Sequence, residues 1–272
     1  MNKIALVIFI YEKANKYFDD LINSINSQSN ANFEVIIFND DVEVPYKRFE
    51  NLEVPFKVID IKNETPSRIR FKGLKILAEL NFDSYIFQDC DDCISDNRID
   101  VVKTLLEKYQ LVVNDLDIIN ESSNILENKI WLNRFRDSQK FTCSDIENYN
   151  FVGLGNTSLS RNLLKFAPKP PIEDIVATDW FLFYSILNNS KIEGYFTSEC
   201  TTLYRQHFDN TIGVAGEKKI PKILASKINH YKLIGSDSKI NELDSVELVL
   251  PNSKKHEYPF WWELNLKNNE TN

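Results

Sequence analysis

Short apolar segments alternate with amphipathic ones over residues 1–113, and this alternation constrains the fold more than any other feature of the sequence. Residues 3–11, Phe33–Phe38 and Ser84–Gln88 are apolar runs of strand length, and Phe56–Ile61 alternates apolar with polar residues. Continuous apolar runs of this length are typical of strands that are buried on both faces of a parallel sheet. Four strands are therefore predicted, and Leu111–Val113 begins a fifth.

The segments between these strands carry apolar residues at helical spacing. They are Lys16–Ser27, Arg68–Leu80 and Val101–Tyr109. Strands that alternate with helices favour an open, mostly parallel sheet with helices on its faces. The predicted fold class is therefore α/β.

The second half of the chain is less regular. Residues 114–150 are polar and rich in Asn, which suggests excursions around a site, and residues 151–164 predict a Gly-containing turn that leads into a short helix. A helix is predicted from Thr178 to Leu187, a strand and then a loop over residues 201–213, and a helix from about Gly216 to Ile234.

Composition excludes several classes of protein. With 43% hydrophobic and 26% charged residues, the 272-residue chain is neither disordered nor fibrous. Its net charge of −8 lacks the basic footprint of a nucleic-acid binder. Seven glycines form neither a GxGxxG nor a GxxxxGK[ST] motif, which excludes the common phosphate-binding loops. The first apolar run is too short to span a membrane and has no signal-peptide cleavage site, so a cytoplasmic protein is expected.

Two of the predicted strands end in acidic clusters, Asn39-Asp40-Asp41 and Asp89-Cys90-Asp91-Asp92. Ligands of open α/β sheets bind outside the carboxyl ends of the strands, where these clusters would lie. Adjacent carboxylates repel one another unless a cation or hydrogen-bond donors neutralise them, and hard oxygen ligands suit Mg²⁺ or Mn²⁺ bridged to substrate phosphates. A solvated acidic turn that caps the next helix is the alternative interpretation.

Cysteine chemistry and a hydrolase mechanism explain the same turn less well. Cys90 and Cys93 form a CxxC pair, but Cys143 and Cys200 are isolated in sequence, so free thiols are expected rather than a zinc site. A hydrolase with Asp89 as nucleophile would place its acidic pair after the first strand, whereas here the pair follows about the fourth.

Four segments resemble family 2 glycosyltransferases, in which the fold is of the GT-A type. The first is the opening KIALVIFIYEKANKYFDDLINSINSQSNANFEVIIFNDD, and the second is YIFQDCDDCISDNRID, which is similar to the DxD segment of that family. ATDWFLF and LYRQHFDNTIG resemble segments of members that build bacterial surface polysaccharides, including rhamnosyltransferase-like ones. The similarity runs from about Lys3 to Gly213.

The resemblance implies roles for particular residues. Those implied in binding the nucleotide sugar are Ile10, Asn39, Asp40, Arg70, Asp89, Asp91 and Arg205. Those implied in holding Mn²⁺ or Mg²⁺ are Asp91, Asp92 and His207, with Arg205 and His207 also near the phosphates. Asp179 is the expected general base, although capping of its helix is an alternative role. Trp180, Glu173 and Asp174 are implied in acceptor binding, Trp180 as a sugar-stacking face and the two acids also as rival bases.

The resemblance implies an inverting transfer of a sugar from a UDP-, dTDP- or GDP-linked donor to a glycan or lipid-linked acceptor. Residues 1–113 would form the nucleotide-sugar half, residues 114–213 the acceptor half and residues 214–272 a helical and aromatic tail. The aromatic cluster Tyr258–Trp262 is expected to dock on the core, with contact to a membrane surface as the alternative. A non-catalytic module of the same fold that binds nucleotide sugars or glycans is the main rival.

Overall fold

The computed structural model describes residues 3–40, 42, 46–62, 64–207, 210, 220–244, 248–249 and 265–266. Within these residues ten strands form one mixed sheet. The predicted aromatic cluster Tyr258–Trp262 lies outside the described residues, as do Asp41 and residues 211–213 of the predicted loop.

Four parallel strands form the first half of the sheet and confirm the predicted α/β class. They are β1 (Ile4–Ile10), β2 (Glu34–Asn39), β3 (Phe56–Asp60) and β4 (Ser84–Asp89). β2 and then β3 lie on one side of β1, and β4 lies on the other side. The chain therefore reverses its direction of travel across the sheet between β3 and β4.

Both faces of β1, β2 and β4 are covered, which explains why these strands are mostly apolar, whereas β3 at the edge of the sheet is partly exposed and alternates. Alternate residues of β1 belong to two separate cores, with Leu6 and Ile8 in one and Ala5 and Val7 in the other. Successive side chains of a strand point to opposite faces, so a strand between two cores needs apolar residues at every position.

Helices cover the two faces of this half. They are α1 (Phe18–Asn26), α2 (Tyr46–Phe49), α3 (Pro66–Glu79) and α4 (Arg98–Leu106), with a short 3-10 helix at Glu12–Tyr17. Thr65 caps α3 by accepting a hydrogen bond from the Arg68 amide at 3.4 Å. Gly73 permits the close packing of α3 on β1, because a Cβ at this position would lie 2.6 Å from the Phe9 ring.

The second half of the sheet mixes directions. Its strands are β5 (Cys93–Ile94), β6 (Leu111–Ile119), β7 (Ile125–Glu127), β8 (Gln139–Phe141), β9 (Thr157–Ser160) and β10 (Gly194–Arg205). β9 runs antiparallel between β4 and β6, and β10 runs parallel to β6. The sheet is therefore continuous from the parallel half through β9 to β10.

Two predictions for this half are wrong. Residues 151–164 contain a strand, β9, between 3-10 helices at Leu154–Asn156 and Arg161–Phe166, rather than a turn and one short helix. The polar residues 114–119 complete β6 rather than forming an excursion. In both cases the sequence is polar because buried polar side chains such as Asn114 and Ser158 occupy the strands. β6 also crosses the 113/114 boundary between the two predicted halves.

Three further helices complete the described chain. They are α5 (Thr178–Ser190), α6 (Ile220–Ile234) and α7 (Asp237–Asp244), and a two-stranded pair joins β11 (Leu248–Val249) to β12 (Asn265–Leu266). α6 packs on α5, where the His230 ring stacks on Trp180 with centroids 3.7 Å apart. Among the described helices, none combines the length and apolarity that a membrane span requires.

Candidate active site

The candidate site lies where β1 and β4 end side by side at one edge of the sheet. Phe9 of β1 pairs with Asp89, the last residue of β4. The turn that follows β4 is thus next to Tyr11, which follows β1. Because the order of strands reverses between β1 and β4, this is the point at which open parallel sheets bind ligands.

We call this edge of the sheet, around the end of β4, the cleft. Asp89 lies there in surroundings that disfavour its charge. Burial raises the pKa of its carboxyl to about 6, nearby Arg70 lowers this pKa, and Asp91 and Asp179 raise it. The Gly155 amide donates a hydrogen bond to the carboxyl. A Cβ at residue 155 would lie 2.7 Å from Asp89 Oδ2, so this contact requires a glycine.

Asp91 forms hydrogen bonds with two other side chains next to the C-terminal end of β1. Its Oδ2 lies 2.9 Å from the Tyr11 hydroxyl, which donates a hydrogen bond, and 2.9 Å from His207 Nε2. Burial, together with the charge of Asp91, raises the pKa of Tyr11. The structure therefore brings together Asp91 and His207, two of the three predicted metal ligands, and adds Tyr11, whose position directly after β1 was its only signal in the sequence.

Asp91 and His207 are too few ligands to hold a divalent cation alone, so a substrate would have to supply the remaining ligands. Among the described residues no group of three or more His, Cys, Asp and Glu side chains is arranged to hold a metal ion. Asp91 and His207 offer one carboxylate and one imidazole, and Mg²⁺ or Mn²⁺ usually takes its remaining ligands from substrate phosphates and water. The His207 and Asp91 side chains are 2% and 12% exposed and bond to each other, so a cation that arrives with a diphosphate would have to take the place of this bond.

Asp92, the third predicted metal ligand, forms a hydrogen bond with the backbone of β10. Its side chain is buried, and Oδ1 accepts a hydrogen bond from the Arg205 amide at 2.7 Å. Burial and the neighbouring Asp91 and Asp89 raise the pKa of Asp92 well above its usual range. Its carboxylate thus fixes the end of β10 to the acidic turn through Oδ1, and its role as a metal ligand stays a prediction.

The structure contradicts the predicted contact between Arg205 and the donor phosphates. Its side chain is fully buried, and the guanidinium donates hydrogen bonds to protein acceptors on three sides. These acceptors are the Asp91, Asn120 and Glu121 carbonyls, Ser123 Oγ and Asp20 Oδ2. The Tyr17 ring covers the guanidinium at 4.5 Å. Arg205 therefore holds the acidic turn, α1 and the β6–β7 connection together, with no donor left to meet a ligand.

A second buried arginine was missed in the sequence. Arg98 donates hydrogen bonds to Asn114 Oδ1, Gln88 Oε1 and the Phe87 carbonyl, and it is fully buried behind β4. Burial lowers its pKa to about 10, while nearby Cys200, Asp89 and Asp92 act in the opposite direction. In sequence, an arginine in the first turn of a helix is typical of a solvated surface, so nothing indicated its position.

Asp179 reaches the same cleft from α5. It lies close enough to Asp89 to raise the pKa of that carboxyl. Its Oδ1 accepts the Trp180 amide at 2.8 Å, and a Cβ on Gly153 would lie 3.6 Å from its Oδ2. The N-cap of α5 is Ala177, so Asp179 is in the first turn and is not the cap. The helix thus presents a partly accessible carboxylate beside the acidic turn.

Trp180 offers no face to a sugar, and this prediction is wrong. It is fully buried, its ring stacks on His230 at an interplanar angle of 6°, and Nε1 donates to the Ile146 carbonyl. Trp180 instead anchors α5 in the core next to Asp179.

The remaining predicted acceptor residues lie on the loop before α5. Glu173 and Asp174 are both exposed, and Asp174 Oδ1 accepts a hydrogen bond from Thr65 Oγ1 at 2.8 Å. This bond ties the loop to the start of α3, the helix that carries Arg70.

The predicted donor-binding residues at the ends of β1 and β2 divide into two groups. The Ile10 side chain is buried in the core. Its carbonyl accepts a hydrogen bond from the Asp40 amide at 3.1 Å, in the turn that follows β2. Asn39 is also buried, with Nδ2 bonded to Asp60 at 2.9 Å and Oδ1 to the Val42 amide at 3.0 Å. These two side chains therefore shape the turn, and any donor contact at Ile10 would involve its backbone, whereas Asp40 and Arg70 are partly accessible.

Comparison with solved structures finds a similar architecture in TarS of S. aureus. TarS 1-349 in complex with UDP-GlcNAc aligns with a TM-score of 0.61 at 15% identity, over 89% of this chain and 71% of that one. TarS 1-349 in complex with UDP aligns with a TM-score of 0.57 at 14% identity, over 89% of this chain and 70% of that one. The longer TarS chain aligns with a TM-score of 0.57 at 15% identity, and only 43% of it is covered.

At this level of identity the likeness establishes the fold. The chain has the mixed, mostly parallel α/β sheet of GT-A-type proteins, as the sequence predicted. No protein-family profile matches the chain, and no curated protein matches it.

Proposed function

We propose that this chain is a glycosyltransferase that moves a sugar from a nucleotide diphosphate sugar to a hydroxyl of a glycan or lipid-linked acceptor. The observation that carries the proposal is the convergence of Asp89, Asp91, His207 and Asp179 at the point of the sheet where the strand order reverses. TarS, whose fold is similar, has been crystallised with UDP-GlcNAc and with UDP.

The donor diphosphate would lie against Asp91 and His207, the pair best placed to hold Mn²⁺ or Mg²⁺ with it. When bound, such a cation neutralises the charge that develops on the leaving diphosphate. Arg70 supplies positive charge near Asp89, whose pKa it lowers. Asp40, at the end of β2, is the residue proposed to contact the nucleoside.

Asp179 is proposed as the general base of an inverting displacement. The acceptor oxygen forms a bond to the anomeric carbon while the bond from that carbon to the diphosphate oxygen breaks. The hydroxyl proton goes to the Asp179 carboxylate, and the nucleoside diphosphate leaves with the electron pair.

The resemblance of the LYRQHFDNTIG segment to enzymes of bacterial surface polysaccharides supports a finer proposal. The transferred group would be a hexose or deoxyhexose from a UDP-, dTDP- or GDP-linked donor, and the product would belong to a capsule or lipopolysaccharide.

A thermal-shift screen with Mn²⁺ and a panel of UDP-, GDP- and dTDP-sugars tests the proposal, followed by a transfer assay with the donors that bind. We expect one donor class to raise the Tm, and Asp91→Asn to abolish the rise. Asp96→Asn, an exposed carboxylate just beyond the same turn, is the matched control and keeps the rise. If no nucleotide raises the Tm, the proposal is wrong. If a donor binds but is neither transferred nor hydrolysed in a long assay, the non-catalytic module is favoured.

A further inference from the structure

A groove of about 690 Å³ lies on the outer side of α3, between this helix and the loop that leads towards α5. Its floor consists of Phe71, Leu74 and Leu164, which are core residues with buried side chains. The opposite wall comes from the proline-rich segment of residues 167–172. The volume is in the range that holds a small amphiphile.

Cations surround this apolar floor. Arg68, Lys72, Lys75 and Lys169 line the groove, and Glu64 is the one carboxylate among its described lining residues. Glu64 forms an ion pair with Lys72. The groove thus carries an excess of positive charge on a chain whose net charge is −8, so its charge is opposite to that of the molecule.

One large apolar side chain at the rim is exposed to solvent. Ile172 is 94% exposed, far more than any other large hydrophobic side chain in the described part of the molecule. Its carbonyl accepts a hydrogen bond from Arg68 Nη2 at 3.4 Å, so the backbone of this tip is tied to α3. An exposed aliphatic residue beside lysines, over an apolar groove, combines the two features by which peripheral proteins bind lipid surfaces.

We infer that this groove docks on an anionic lipid bilayer, with lipid phosphates against Lys75 and Lys169, and with Ile172 in the acyl boundary of the bilayer. Charge complementarity favours an anionic partner, and the apolar floor and tip favour one that also has hydrocarbon. A soluble polyanion would satisfy the lysines but would leave the floor and Ile172 exposed to water.

The groove lies close enough to the candidate active site for membrane docking to affect where that site is held. The groove and the site share α3, since Arg70 lowers the pKa of Asp89, and the groove loop continues through Asp174 to Asp179. Docking would bring the cleft beside the membrane surface. The inference goes beyond the proposed function, because vesicle binding needs neither donor nor turnover.

Flotation of the full chain with vesicles tests the inference. Vesicles of phosphatidylcholine alone are compared with vesicles in which about a third of the lipid is phosphatidylglycerol, at low and at high salt. We expect binding to the anionic vesicles only, weakened by salt. Each cation near such a surface contributes roughly fivefold in affinity, so Lys75→Gln/Lys169→Gln should weaken binding roughly 25-fold. Ile172→Ser should weaken it about tenfold.

The matched control is Lys57→Gln/Lys108→Gln, which removes the same charge from exposed lysines that do not line the groove. Its binding should stay within about twofold of wild type, as no contact with the surface is lost. Thermal melts show whether each variant is folded. Equal binding to neutral and anionic vesicles, or an equal loss in both double variants, would overturn the inference. So would full binding by the Lys75→Gln/Lys169→Gln variant, or binding of dextran sulfate without binding of vesicles.

Discussion

Two layers of charged residues meet at the end of β4, and they differ in how their charges are satisfied. The cleft group consists of Asp89, Asp91 and Asp179, and the backing layer behind it consists of Asp92, Arg98 and Arg205. In the backing layer each charged group is buried and bonded to protein, as with the three acceptors of Arg98. In the cleft group the carboxylates act against one another, since Asp91 and Asp179 both raise the pKa of Asp89, and Asp91 and Asp89 also raise the pKa of Asp92 behind them.

This difference indicates that the cleft group takes part in catalysis and that the backing layer supports the structure. Groups with satisfied hydrogen bonds in a buried network fix positions but have no capacity left for a ligand. Mutually repelling carboxylates in a cleft are stabilised by whatever cation or proton arrives, which is the electrostatic signature of a functional site. Removal of a cleft residue should therefore reduce activity without unfolding the protein, and removal of a backing residue should do the reverse.

The largest effect is expected from Asp179→Asn. If Asp179 is the base, the rate of transfer should fall about 10²–10⁴-fold, while donor affinity and Tm should hardly change. Single-turnover transfer, donor titration and a thermal melt on the same preparation measure these three quantities. Asp174→Asn, on the exposed loop before α5, is the control and should keep near-normal turnover. Near-normal transfer by Asp179→Asn would place the base elsewhere, with Asp174 and Glu173 next to test.

Arg205→Met tests the backing layer. It removes a buried guanidinium from several acceptors and from Asp20, so the free energy of unfolding should fall by about 3 kcal/mol. Urea unfolding measures this loss. Lys140→Met, which breaks an exposed pair with Glu193, should cost about 1 kcal/mol or less. Unchanged stability with a large loss of donor affinity would restore the phosphate contact predicted from sequence.

Asp91→Asn sharpens the contrast within one turn. A neutral amide is a poorer ligand for Mn²⁺ than a carboxylate, so Mn²⁺-dependent nucleotide affinity should fall about tenfold or more. Calorimetric titration with and without Mn²⁺ measures the change, and Asp92→Asn should act mainly on stability. If EDTA leaves nucleotide affinity and turnover untouched, Asp91 has no metal to hold.

The smallest effect concerns how α6 supports the helix that carries Asp179. Burial lowers the pKa of His230 to about 3, and its two ring nitrogens have no hydrogen-bond partner among the described residues. The unfolded chain takes up this proton below about pH 6.5 and the folded chain does not, so stability falls as the pH falls. The expected loss is about 1 kcal/mol between pH 7 and 5.5, measured by urea unfolding. His230→Phe keeps an aromatic ring on Trp180 and should remove this part of the pH dependence. An identical profile in that variant would assign it to other groups.

Local pattern was enough for the first half of the fold. Strands β1, β2 and β4 were predictable because burial on both faces demands continuous apolar runs, and β3 because its residues alternate. The position of the DxD turn followed because β4 leads directly into it. Strand β9 and the second part of β6 could not be predicted, since their buried polar residues, among them Asn114 and Thr157, mimic a surface loop.

By itself, the sequence determined the α/β class and the carboxylates at the end of β4, because strand periodicity and adjacent acidic residues are local properties. Only the tertiary structure decided which charges stay available. It placed Asp91 beside His207, 116 residues away along the chain, and placed Asp179 near Asp89. It also buried Arg205, Asp92 and Trp180, whose residue types had suggested ligand contacts. Burial and hydrogen-bond partners depend on packing between distant segments, and no spacing within one segment encodes them.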